Sequence, residues 1–117
     1  MKYLLLIYAD EAAEAAASDT DTDNAAMMAA YGAYAGALVE AGVMVGGERL
    51  RPTAMATTVR VKGGKTEVLN GPYADTREQL GGYFLIEVPD LDAALRWAAR
   101  CPTATHGTIE LRPLWAM

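Results

Sequence analysis

The order in which apolar strands and helical segments alternate is the feature that most constrains this chain. Residues 3–8 form an uninterrupted apolar run, which predicts a central strand buried on both faces. Residues 10–24 are acidic and rich in Ala, and we expect a loop there. A helix is predicted from about 24 to 41, because apolar residues recur at spacings of four, three and four. Those residues are Met27, Tyr31, Tyr34 and Leu38.

The second half of the chain continues the alternation. A strand is predicted at 43–50, and a β-hairpin over 57–62 and 65–69 turns at Gly63 and Gly64. Strands are also predicted at 82–88 and 108–114. Between them a helix is predicted, with Asp90 as its N-cap and with Pro102 ending it. One face of this helix carries Leu91, Leu95 and Ala98.

This order, β-α-β, a hairpin, then β-α-β, predicts an α+β architecture with both helices on one face of a mostly antiparallel sheet. The 117 residues suit one domain that spans 1–117. Such a short chain has no third layer with which to cover the other face of the sheet. We therefore expect a homodimer in which the two sheets pack against each other.

Charge and cysteine content narrow the possible partners. Ten basic residues against 15 acidic ones give a net charge of −5, which argues against nucleic acid and acidic membrane surfaces. Cys101 is the single cysteine, so no internal disulfide is possible. The apolar residues 3–9 precede two acidic residues, and the uncharged stretch 25–39 is shorter than the ~20 residues of a membrane span. We expect a cytoplasmic protein.

Metal-binding patterns are weak. Asp19, Asp21 and Asp23 alternate as in a calcium loop, but Asn24 and Ala30 stand where such a loop needs Gly and Glu. An acidic cap before a helix is the favoured interpretation. With one His and one Cys, the chain cannot build a His/Cys zinc site. No cofactor is predicted.

The most informative polar stretch runs from Asn70 to Tyr83, where a rigid turn precedes several charged side chains. Asp75 or Glu78 is a candidate general acid or base, and Arg77 a candidate for holding an anionic group. Tyr73 is a candidate hydrogen-bond donor to a substrate. The alternative is a solvated connection with an internal cluster of charges.

Further candidates lie elsewhere in the chain. His106 is a candidate general base, although its place before Gly107 is also typical of a surface loop. Glu48 and Arg49 either point outward or line a cleft. Tyr8 is expected between sheet and helix, with a hydroxyl that either packs at an edge or faces a ligand.

Several segments resemble one family. They are residues 1–8, 47–50, 70–73, 78–83 and 110–114, and they are similar to the YCII-related, DGPF-type family essentially from end to end. Asn70 and Tyr73 replace the Asp and Phe of the family's tetrapeptide. The resemblance implies a ferredoxin-like fold that dimerises as a dimeric α/β barrel.

The resemblance implies little about activity, since the family consists mostly of uncharacterised bacterial cytoplasmic proteins. A His–Asp pair is the proposed active site in the YCII branch, but residues 10–24 hold no His and His106 lies too late in the chain to match that motif. Two hypotheses remain. One is a small-molecule enzyme or binder whose helix–sheet cleft lies around Tyr8, Glu48, Asp75, Arg77 and Tyr83. The other is a non-catalytic regulatory module, because some relatives are linked to sigma factors.

Overall fold

The computed structural model describes residues 1–17 and 21–115, with only the backbone described at 16, 17 and 21–24. Its elements in chain order are β1 (Lys2–Ala9), α1 (Glu11–Ala17), α2 (Asp21–Glu40), β2 (Met44–Arg49), β3 (Thr57–Lys62), β4 (Lys65–Asn70), β5 (Gln79–Glu87), α3 (Leu91–Arg100) and β6 (Thr108–Pro113). Two short 3-10 turns lie at Thr53–Met55 and Pro102–Thr105.

The main sheet has four strands in the order β2-β5-β1-β6, and every neighbouring pair is antiparallel. With α1, β3 and β4 set aside, the core elements run β-α-β-β-α-β, and the order of their four strands in the sheet is fourth, first, third, second. Tyr34 and Leu38 of α2 and Ala94 of α3 pack with Leu5 and Ile86 of the sheet in one core. This α+β, ferredoxin-like fold with α2 and α3 on one face confirms the predicted fold class.

Strand β1 shows how unequally the two faces of the sheet are covered. Leu5 is fully buried under the helices, and its cross-strand neighbours turn the same way. Leu4 and Leu6 point to the other face and are half-buried. We expect β1 to be buried on both faces, but within a single chain it is buried only on the face that the helices cover.

We call the other face of the main sheet the open face. Cross-strand partners share a face, so the register assigns it these residues: Leu4, Leu6 and Tyr8 of β1, Leu80, Tyr83 and Leu85 of β5, Thr108, Glu110 and Arg112 of β6, and Glu48 of β2.

The predicted loop at 10–24 is wrong, because α1 occupies Glu11–Ala17 and α2 begins at Asp21. Ala and Glu are strong helix formers, and the Asp10 carboxylate caps α1 by accepting a hydrogen bond from the Ala13 backbone N–H at 3.0 Å. Asp19 lies outside the described residues, as do the side chains of Asp21 and Asp23.

Helix α3 confirms one prediction and corrects another. Asp90 is its N-cap and accepts a hydrogen bond from the Ala93 N–H at 2.9 Å. The predicted buried face is wrong at Leu91 and Leu95, which are each 50% exposed. Ala98 is buried as predicted, and Ala94 is buried in place of the leucines, because small side chains let the helix approach the sheet closely.

The predicted hairpin is confirmed as β3 and β4, but it forms a separate two-stranded sheet. Gly63 and Gly64 both have positive φ, 54° and 79°, as the tight two-residue turn requires. Every residue of the two strands except Thr58 is exposed. We call residues 57–70 the arm and the rest of the chain the body.

Candidate functional site

An open cleft of about 690 Å³ lies at one end of the open face. Because β1 is antiparallel to β5 and β6, its C-terminal end meets the N-terminal ends of those two strands there. The side chains of these ends and of α1 therefore converge. The cleft is lined by Tyr8, Asp10, Ala13, Thr76, Arg77, Glu78, His106, Thr108 and Glu110.

The His106 imidazole contacts a carboxylate at the border of this cleft. Its Nε2 lies 3.2 Å from Glu14 Oε1 of α1, and its Nδ1 lies 3.3 Å from Thr105 Oγ1. Both partners of the first contact are about two-fifths exposed (41% and 42%), so the pair adds little to stability. The contact instead orients the His106 side chain, because a carboxylate that accepts a ring N–H fixes the direction of the imidazole.

The turn that carries His106 is tightly held. Gly107 donates its N–H to the Thr103 carbonyl at 2.7 Å. A Cβ on Gly107 would collide with the Tyr8 carbonyl oxygen and would come within 2.7 Å of Thr103 Cγ2. Only glycine fits between β1 and the Pro102–Thr105 turn.

Thr103 is in turn bonded to α2. Its hydroxyl shares a short hydrogen bond with the Tyr31 hydroxyl, which also lies 3.5 Å from Cys101 Sγ. Burial raises the pKa of the Cys101 thiol and of the Tyr31 and Tyr34 phenols. These groups therefore stay protonated at neutral pH, and Cys101 is a packing residue rather than a nucleophile.

The segment before β5 forms the opposite wall. Glu78 is half-buried and accepts a hydrogen bond from Thr108 Oγ1 at 2.7 Å. Gln79 Nε2 donates to the Thr76 carbonyl at 2.5 Å, while Gln79 Oε1 accepts from the Glu11 N–H at 2.9 Å. Because Gln79 joins this segment to α1, both walls of the cleft are held together. Arg77 forms no ion pair with any described residue.

Helix α1 is fixed at its first turn. The Glu11 carboxylate accepts hydrogen bonds from the Thr53 N–H at 3.0 Å and from Thr53 Oγ1 at 2.7 Å. The short helix is thus anchored to the loop after β2 as well as to β5. This anchoring places Glu14 beside His106, 92 residues away in the chain.

Four of the residues proposed from the sequence line this cleft: Tyr8, Arg77, Glu78 and His106. The structure also adds Asp10, Thr108 and Glu110 to the lining, and Glu14 beside His106. The Ala-rich, Asp-capped segment was a local signal for α1. No pattern in the sequence indicates that residues 14 and 106 meet, since that contact depends on the fold.

The other proposed site residues lie outside the lining. Glu48 and Tyr83 are cross-strand partners on the open face, and Arg49 pairs with Gly82 at the end of β2. Asp75 is exposed in the turn before β5. The interface of α2 and α3 with the sheet is filled by core side chains, so the cleft borders α1 instead.

Tyr73 lies in the body, beside the base of the arm. It is 73% exposed, and the Arg60 guanidinium lies 5.2 Å from its ring centroid. Asn70 pairs with Thr57 at the same place. The two positions at which this chain departs from the family's tetrapeptide therefore adjoin the arm and not the cleft.

Within residues 1–17 and 21–115, no group of three or more His, Cys, Asp and Glu side chains is arranged to hold a metal ion. None of the helices there has both the length and the apolar character that crossing a membrane requires.

Comparison with known proteins identifies the family. The family model described as the YCII-related domain matches residues 1–117. An uncharacterized protein of Rhizobium meliloti (strain 1021) is 39% identical over 116 residues, which covers 97% of this chain and 92% of that protein. The chain therefore belongs to the family of proteins with a YCII-related domain.

Proposed function

We propose that the cleft binds a small molecule and that His106 transfers a proton to or from it. The contact between His106 Nε2 and Glu14 Oε1 at 3.2 Å carries this proposal. An imidazole held by a carboxylate and facing an open cleft is a suitable general acid or base near neutral pH.

The contacts of His106 indicate which ring nitrogen acts. Nε2 is engaged by Glu14, so Nδ1 is the nitrogen available to a ligand. Its present neighbour, Thr105 Oγ1, already donates to the Pro102 carbonyl at 3.2 Å. A ligand hydroxyl, amide or acidic C–H group that displaces this 3.3 Å contact would exchange a proton with Nδ1.

The other lining residues supply binding groups. Arg77 forms no ion pair with a described residue, so its guanidinium suits a carboxylate or phosphate on the ligand. Tyr8 offers an aromatic face and a hydroxyl at the floor of the cleft. Glu78, held by Thr108, is a second acid–base group on the opposite wall.

Native mass spectrometry tests this function. The protein would be incubated with a filtered extract of bacterial metabolites, and its mass compared before and after denaturation. We expect a small added mass that is lost on denaturation, reduced in Arg77→Ala and His106→Ala, and retained in Arg96→Ala. Arg96 is a matched control because it is exposed on α3, outside the cleft lining.

Two outcomes would contradict the proposal. One is that no variant and no wild-type sample retains any small mass. The other is that all four proteins retain the same mass equally. Either result would favour the regulatory module, the alternative function that rests on the family's links with sigma factors.

We also propose that a second copy of the chain covers the open face, giving a cytoplasmic homodimer. Antiparallel sheets that face water usually carry polar side chains on that side. Here the centre of the open face is apolar, with Leu4, Leu6 and Leu85, and Trp115 beside it is 91% exposed. Like faces that pack together by a two-fold axis would bury this surface in both copies.

Sedimentation velocity tests the dimer. Leu6→Lys places a charge in the centre of the open face and should give monomers at concentrations where the wild type is dimeric. Val39→Lys is the matched control, because Val39 is 63% exposed on α2, on the other side of the sheet. A wild type that is monomeric at micromolar concentration would contradict this assembly.

A further inference from the structure

The arm extends from the body, and almost all of its surface is exposed. It is held to the body at its base, where Gly71 donates its N–H to the Ala56 carbonyl at 2.7 Å and Thr58 Oγ1 donates to the Gly71 carbonyl at 2.8 Å. Beyond this base its strands are exposed. A two-stranded hairpin alone is marginally stable in water, so the arm needs a surface to pack against.

The two faces of the arm differ in character. The pairing of Val59 with Val68 and of Val61 with Thr66 places three valines on one face. These valines are 58–65% exposed. The opposite face carries the pairs Arg60–Glu67 and Lys62–Lys65. An apolar face opposite a charged face is the pattern of a strand pair that is covered on one side only.

The whole molecule also exposes more surface than its mass requires. A folded protein of this size exposes about 6,200 Å², whereas this chain exposes 8275 Å². The excess of about 2,100 Å² is larger than the roughly 800 Å² that each partner contributes to a standard interface. The Cα radius of gyration, 16.2 Å, likewise exceeds the value of about 13 Å for a compact chain of 117 residues.

The distribution of charge indicates what covers the arm. Three basic residues and one acidic residue give the arm a net charge of +2. Because the whole chain has a net charge of −5, the body has a net charge of −7. The body of a second copy is therefore an acidic surface matched to a basic arm. Its open face and cleft hold carboxylates, including Glu48, Glu78 and Glu110, beside the apolar centre.

We propose that the arm of each copy lies on the body of a second copy, at the margin of the contact between the two open faces. Val59, Val61 and Val68 pack on apolar surface at that margin, where Trp115 is exposed beside the open face. Lys62 and Lys65 flank the turn, so their long side chains extend past the tip of the arm and meet carboxylates at the rim of that body. A two-fold axis makes the exchange mutual, so each copy gives one arm and receives one. With strands of six residues, the arm is about 20 Å long, enough to reach along the margin of the partner's sheet. The inference rests on the homodimer proposed above and adds a second contact to it.

The apolar contact is tested with the variant Val59→Thr/Val61→Thr/Val68→Thr. Threonine keeps the shape and β-branching of valine, so the hairpin is retained while its apolar face is lost. We expect the dimer dissociation constant, measured by sedimentation, to rise at least about tenfold. Leu69→Thr is the matched control, since Leu69 is equally exposed but lies on the charged face, and it should leave the constant within about twofold.

Hydrogen exchange measures how well the backbone amides of the arm are protected. In the wild-type dimer the backbone amides of β3 and β4 should exchange more slowly than in the Leu6→Lys monomer. In the triple threonine variant they should exchange as fast as in that monomer. Circular dichroism of each variant verifies that the body remains folded.

The outcomes separate this inference from the earlier proposals. A triple variant that dimerises as tightly as the wild type, with arm amides that exchange at the same rate in dimer and monomer, would overturn the arm exchange while the open-face dimer stands. A wild type without any dimer would overturn both. Ligand retention in the cleft is scored separately by native mass spectrometry.

Discussion

Gly107 determines where His106 lies, because the space between β1 and the Pro102–Thr105 turn admits no side chain. The glycine is required for close approach and not for a left-handed φ. The sequence shows a Gly after the His, but it does not show the Tyr8 carbonyl that a Cβ would meet. Residue type and the predicted local structure around each residue are enough to propose Tyr8, Arg77, Glu78 and His106. Their common cleft comes from strand order.

Gly107→Ala should lower the free energy of unfolding by about 1–3 kcal/mol, since the new methyl group meets backbone that cannot move aside. Urea denaturation measures this loss. Gly32→Ala is a control for which the expected change in stability has the opposite sign. Nothing lies within 4 Å of a Cβ there, in the middle of α2, so it should stabilise the protein by about 0.5–1 kcal/mol. A neutral Gly107→Ala would show that the His106 turn is loosely held.

Burial of Tyr31, Tyr34 and Cys101 predicts a loss of stability in alkali. Their raised pKa values mean that the folded state keeps protons that the unfolded state releases above about pH 9 for the thiol and pH 10 for the phenols. The unfolded state then binds fewer protons, so the free energy of unfolding falls as pH rises. Urea denaturation from about pH 8 to about pH 11 should show this fall.

Tyr34→Phe removes one of these groups and should make the alkaline fall shallower. At neutral pH the same change costs about 1 kcal/mol, because the Trp97 carbonyl loses the hydrogen bond that the Tyr34 hydroxyl donates at 2.7 Å. An unchanged alkaline slope would contradict the role assigned to this phenol.

At the scale of elements, the strands were easier to predict than the helices. Alternation and turn residues placed the hairpin correctly, because both signals are local. Helix α1 was missed although Asp10 and the Ala-rich segment favour it, since a seven-residue helix is marginal without the Glu11–Thr53 contact. In α3 the sequence favoured Leu95 as core, but close packing against the sheet selected the smaller Ala94.

Helix α3 also offers a test of capping. Asp90→Ala should cost about 1 kcal/mol of stability, because the Ala93 N–H loses its acceptor at the first turn. Asp92→Ala, two residues further on, should cost only a few tenths of a kcal/mol through its weaker interaction with the helix dipole. Equal losses in urea denaturation would show that charge, and not the cap hydrogen bond, stabilises this end.

At the scale of the whole molecule, the open face and the arm are two surfaces that the described residues of one chain leave uncovered. The ferredoxin-like order leaves the first free because α2 and α3 both pack on the opposite side. The inserted hairpin creates the second. The exposure of the open face could be predicted from the sequence, because so short a chain has no third layer with which to cover it. The exposure of the arm depends on its separation from the main sheet, which alternation alone does not determine.

If both surfaces are buried between two copies, stability must depend on protein concentration. Folding coupled to dimerisation gains about 1.4 kcal/mol per tenfold rise in concentration, so the melting temperature should rise by a few degrees over that range. Leu6→Lys should abolish this dependence, and the triple threonine variant should shift it to higher concentration. Calorimetry at three concentrations measures it. A melting temperature that stays constant in the wild type would mean that each chain folds alone, with the arm and the open face left in water.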